Sequence, residues 1–145
     1  MRTPHKCEAR GSRLGKLKWI AIEVLRMSRT LVIVHSSKVQ PKILGKGVAS
    51  RRLITGPKDG SHRFMVSLLH LDPGSLTEGV YEDKDEALYL LNGQLTFQWD
   101  DGHALAGPGD AVFIPMGTRV EMNNSGPEAA ELVAVIAPSK TLSEL

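Results

Sequence analysis

Two glutamates, Glu82 and Glu86, stand four residues apart in the run GVYEDKDEALYLL at 79–91. If both face one cavity, burial and mutual repulsion push one carboxyl's pKa up. One then keeps a proton near neutral pH while the other is ionised. That arrangement serves isomerisation, dehydration and lyase steps. The plainer alternative is that Glu82 belongs to an acidic, solvated loop. His70 ends the run RFMVSLLH in phase with Val66 and Leu68, so it is a candidate for the mouth of the same cavity. No histidine lies between His70 and His103. His103 follows a DDG turn and is expected to be exposed, as are His5, His35 and His62. Cys7 is the only cysteine, so no internal disulfide forms, and no base is placed to make it a nucleophile.

The elements that would carry these carboxylates are short strands. LVIVH at 31–35 is rich in β-branched residues and reads as a first strand. Pro41, Gly45 and Gly47 mark a loop. Further strands are expected at 49–55, 63–71, 86–91, 94–99, 111–115, 118–123 and 131–137. Asn92-Gly93 is a strong hairpin signal, and GPKDG, DPG, DDG and NSGP are turns. Turn signals every eight to twelve residues imply an all-β sandwich or barrel. Residues 80, 82 and 86 share parity, so an unbroken strand would turn all three to one face, with Tyr81 and Tyr89 on the other.

The 145 residues fit one domain large enough to bury a core. Residues 1–26 hold seven Lys or Arg and two Glu, against eleven basic and fourteen acidic residues in the remainder. The basic balance therefore sits in this leader, read as having no part in the site or as an extended start before Met27. Residues 27–145 form the barrel. A nucleic-acid surface needs its positive charge on the folded body, so that function is excluded. No apolar stretch is long enough to span a bilayer, and the reading is cytoplasmic, with no membrane partner.

The pattern LDPG at 71–74, EALYLLNG at 86–93 and GPGDAVFIPMGTRVEMNNSG at 107–126 resembles the cupin superfamily. Gly74, Glu86 and Gly93 fall on the spacing of that family's first motif. Gly109, Pro115, Gly117 and Asn124 fall on its second. The resemblance implies an all-β, single double-stranded β-helix (jelly-roll) barrel with its motifs at 71–126. It also implies four metal-ligand positions, three histidines and a glutamate, filled here by Val80, Glu82, Glu86 and Val120. A spacer longer by one residue moves the first pair to Gly79 and Tyr81, and restores no histidine.

Transition metals prefer imidazole or thiolate, so the expectation is no metal cofactor. The alternative is a weakly held divalent metal on Glu82, Glu86 and His70. The leading expectation is a small-molecule-binding cupin lined by Val80, Leu88, Leu90, Val120 and His70, with Glu82 and Glu86 as polar handles for a small organic molecule. A second is an isomerase, lyase or hydrolase using the two glutamates as acid and base. A third is an interaction module. A homodimer is expected through an apolar outer sheet face or an unpaired edge.

Overall fold

Alternation of inward and outward side chains writes most of this structure. In MVSLLHL every second residue, Ser67, Leu69 and Leu71, is buried, as a strand with one face on a core requires. The structure, a computed structural model, describes residues 31–56 and 59–140, and the unit from Ile33 onward is compact. The strands are β1 Lys42–Gly45, β2 Val48–Ile54, β3 Met65–Leu71, β4 Leu76–Tyr81, β5 Lys84–Asn92, β6 Leu95–Trp99, β7 Gly102–Ala106, β8 Ala111–Ile114, β9 Thr118–Asn123 and β10 Ala130–Pro138. They form a sheet of order β1-β2-β3-β10-β5-β8 and a second of order β4-β9-β6-β7, paired antiparallel throughout. The core lies between them, around the fully buried Leu71, Leu88, Leu90, Leu95 and Leu132. The leader at 1–26 lies outside the described residues.

Three expectations change. Residues 31–35 are not a strand, and a short 3-10 turn follows at Ser36–Lys38. Leu31 and Ile33 are exposed there, so β-branching alone, without a partner strand, does not make a ladder. The expected loop after Pro41 instead contains β1, an edge strand on β2. Asn92-Gly93 does not close a hairpin. β5 pairs with β10 and β8, while β6 pairs with β7 and β9, so the chain crosses here from one sheet to the other. Gly93 is needed for a different reason. Its φ is +75°, and a Cβ there would lie 2.6 Å from the Ala129 carbonyl oxygen. By contrast, DDG at 100–102 does join a paired hairpin, β6 to β7.

Asn124 fastens one end of the barrel. It is fully buried, and its amide donates to the carbonyls of Leu71 at 3.0 Å and Glu128 at 2.8 Å. Its side-chain oxygen accepts from Gly126 N–H at 3.1 Å, and its own backbone is paired with Gly74 and Ser75. The side chain thus ties the end of β3 to the loop before β10, and the backbone of the same residue holds the start of β4.

Candidate functional site

The turn between β4 and β5 decides what faces inward. β4 alternates with Thr77, Gly79 and Tyr81 on the inner side, and Tyr81 is only 5% exposed. Residues 82–83 are a bend rather than strand. The parity of β4 therefore does not carry through to β5, where Glu86, Leu88 and Leu90 face the core. Val80 is 54% exposed and points away from the core, though it borders the rim of the cavity that holds Tyr81 and Glu86, and Glu82 is exposed and lines no part of it. The expectation that Val80, Glu82 and Glu86 share a face is corrected on this ground. So is the expectation that Tyr81 packs outside. The inward residues are Gly79, Tyr81, Glu86 and Val120, the positions given by the longer spacer.

The bend is clamped. Gly117 N–H donates to the Tyr81 carbonyl at 2.6 Å, Ser139 N–H to the Asp83 carbonyl at 2.7 Å, and Met116 N–H to the Asp85 carboxylate at 2.8 Å. Met116 and Gly117 of the second motif thereby position the first. Gly79 and Tyr81 interlock as well. A Cβ on Gly79 would come within 2.7 Å of the Tyr81 ring, so the ring occupies the volume that a side chain at 79 would take.

Glu86 is 5% exposed and lies beside the Tyr81 hydroxyl, the group placed to donate a hydrogen bond to its carboxylate. Burial raises the Glu86 pKa, against the opposing pull of that hydrogen bond and of the Lys84 charge. Burial, with the Glu86 charge and hydrogen bond behind it, pushes the Tyr81 phenol far up, so it stays a donor. Lys84 sits 5.4 Å from the Tyr81 ring centre, a cation–π distance. A cavity of about 260 Å³ opens onto this pair and is lined also by Ser50, Ser67 and Arg52. A second, apolar cavity of about 420 Å³ lies between β6, β7, β8 and β9 and takes in Phe97, Trp99, Ile114 and Val120.

His70 is corrected too. It lies on the outer face of the six-stranded sheet, with Nε2 3.0 Å from Asp72 and Nδ1 3.5 Å from Glu131. Its phase with Val66 and Leu68, expected to bring it to the cavity mouth, instead puts all three on the face opposite the buried Ser67, Leu69 and Leu71. His103 is exposed, and Arg119 pairs with Glu78 on the outer surface of the smaller sheet. Glu82, Glu86 and His70 therefore do not converge. Among the described residues no three His, Cys, Asp or Glu side chains are grouped to hold a metal ion. The interior positions offer one carboxylate and one phenol, which does not fit the roughly three protein ligands of a transition-metal site.

A profile described as "Cupin domain" covers residues 67–136. The chain belongs to the cupin superfamily. This cupin is 29% identical over 101 residues to the tetracenomycin polyketide synthase protein TcmJ of Streptomyces glaucescens, covering 69% of this chain and 68% of that one. It is similar to the structure of the polyketide cyclase RemF from Streptomyces resistomycificus, with a TM-score of 0.68, 25% identity, and 78% and 82% of the two chains covered. It shares its fold with ectoine synthase from P. lautus, with a TM-score of 0.66 and 21% identity over 74% and 78% of the chains. No helix among the described residues of this cupin is long and apolar enough to cross a membrane.

Proposed function

We propose that this cupin binds a small organic molecule in its interior without a histidine-held metal, and that Glu86 and Tyr81 are the polar handles. The observation that carries this reading is the buried Tyr81–Glu86 pair bordering a cavity, at positions where the family pattern has metal ligands. Glu82, exposed on the bend, has no part in it. The ligand class is suggested by the two relatives named for polyketide chemistry: a ketone-bearing or ring-bearing carbon skeleton.

A second reading makes the protein an enzyme. It is favoured by the raised Glu86 pKa together with those relatives. In its ionised form Glu86 removes a proton from carbon beside a ketone and becomes the acid. The electron pair moves to the ketone oxygen, which accepts a hydrogen bond from Tyr81. Returning the proton to carbon or oxygen restores Glu86.

Acetophenone tests both readings. Calorimetric titration reports binding, and deuterium exchange of its methyl protons in D2O, followed by NMR, reports proton abstraction. Binding by the native chain that weakens about tenfold in Tyr81→Phe/Glu86→Gln is expected, the size of a lost pair of polar contacts. Catalysed exchange that vanishes in Glu86→Gln establishes the enzyme reading, and its absence in the native chain removes it. Equal binding by native and double variant overturns the handles.

A further inference from the structure

We propose that the apolar chamber between β6, β7, β8 and β9 is a separate binding site for a flat, fused aromatic ring system. The proposal rests on the reading that the interior takes an organic ligand. It adds where the ring sits and what holds it.

β7 and β8 are the outer strands of their respective sheets and are not paired with each other. The barrel is therefore open between them, and the chamber of about 420 Å³ lies behind that opening. Its volume is within the usual range of small-molecule sites, roughly 300–1,000 Å³. Phe97 and Trp99 of β6 supply ring faces, and Val112 and Ile114 of β8 supply an aliphatic wall. Ala104 lies directly across the ladder from Phe97, and Ala106 follows on the same side of β7. These two small residues leave beside the aromatic pair a space that larger side chains would fill. Aromatic rings stack best offset or edge to face, so a flat ring laid along β7 meets Phe97 and Trp99 favourably. Trp99 is 37% exposed, a large apolar surface that a ligand would cover. Asp101 is the one charged lining residue and is exposed, so it suits a phenolic hydroxyl at the entrance.

The chamber is distinct from the Tyr81–Glu86 centre but next to it. Thr118 and Val120 line the apolar chamber, while their ladder partners Tyr81 and Gly79 line the polar one. On the opposite sheet Ile114 lines the apolar chamber, and its partner Glu86 the polar one. The boundary thus runs between β4 and β9 on one side and between β5 and β8 on the other.

The test uses the full chain carrying Trp19→Phe, which leaves Trp99 as the single tryptophan. 2-Naphthol is titrated while Trp99 emission is followed. Saturable quenching is expected. Ala104→Leu in the same background should weaken it by about tenfold or more, as a pocket altered by a few methylenes does. Glu86→Gln should leave it within about twofold. Methyl NMR gives the answer without a pocket substitution: the Ala104 and Ala106 signals shift, and that of Ala134, which lines the polar chamber, does not. Quenching lost in Glu86→Gln and kept in Ala104→Leu, or a shift at Ala134 alone, places the ring in the polar chamber. That result overturns this proposal and leaves the preceding one standing. Absence of saturable quenching and of any methyl shift also overturns it, while acetophenone binding decides the other independently.

Discussion

Glu86 is the residue on which the interior chemistry turns. It is a carboxyl kept from water, and burial outweighs both the Tyr81 hydrogen bond and the Lys84 charge, so its folded pKa lies above the ordinary 4.5. The folded state therefore holds this proton to higher pH than the unfolded chain does. Its contribution to stability is fully present below the ordinary value and is lost as pH rises through the folded value. Gln has the same shape and no charge to bury. We expect Glu86→Gln to unfold at higher denaturant concentration than the native chain at pH 7.5, with the gap closing toward pH 4. A gap that widens toward acid would mean that the carboxylate, not the acid, is the form the fold favours. The same residue shows what could be read early. Glu86 was legible because motif spacing alone places it. Tyr81 was not, because its inward direction depends on where one strand stops and the next begins. Parity holds only within a strand, and the two-residue bend at 82–83 resets it. The Gly79–Tyr81 pair was visible only as a spacing option.

At the scale of elements, tight turns do more than long strands to set the site. The strands after residue 48 were legible from alternation and punctuation, because burial of one face imposes a period of two. β4 was not, since LTEGVY turns Leu76 and Val80 outward and keeps small residues, Thr77 and Gly79, on its inner face. The Asn92-Gly93 crossing was misread because a local turn signal does not say which strand is the partner. Asn124 presents the element-level test. Its side chain satisfies two backbone carbonyls that lie far apart in the chain, at Leu71 and Glu128. Asn124→Ala leaves them and Gly126 N–H without partners. A buried group so orphaned costs about 1–3 kcal/mol. We expect a loss of about 3 kcal/mol in urea unfolding, with faster amide exchange at Gly126, whose N–H the Asn124 side-chain oxygen holds. A loss below about 1 kcal/mol would mean that water replaces the amide and that the fastening is not structural.

The whole molecule carries one surface that the interior does not explain. On the outer face of the six-stranded sheet, ladder partners align Leu68, Val133, Tyr89 and Ala111 in one row. Val66, Val135, Ala87 and Phe113 align in the next. Tyr89, Val135 and Phe113 are exposed, and a polar row of His70, Glu131 and Asn92 bounds the patch on one side. Four strands about 4.8 Å apart and some six residues long present roughly 400 Å² of sheet, before side-chain relief is counted. That is about half of the roughly 800 Å² per partner of a standard interface, so the surrounding polar rows must join the contact. We propose a second copy of the chain as the occupant, because two flat apolar faces of one kind are self-complementary about a two-fold axis. The polar rows would then lie at the rim, where they remain hydrated. Apart from Phe113 at the β8 edge, which also borders the apolar chamber, the residues lining both chambers lie on the other side of this sheet, so pairing leaves both open to ligand. Light scattering at tens of micromolar should give twice the chain mass. Val133→Glu/Val135→Glu should give the single-chain mass, with 2-naphthol quenching retained. A native chain that is monomeric at that concentration removes the dimer, and a double variant that stays dimeric moves the contact from this face to an edge strand such as β1.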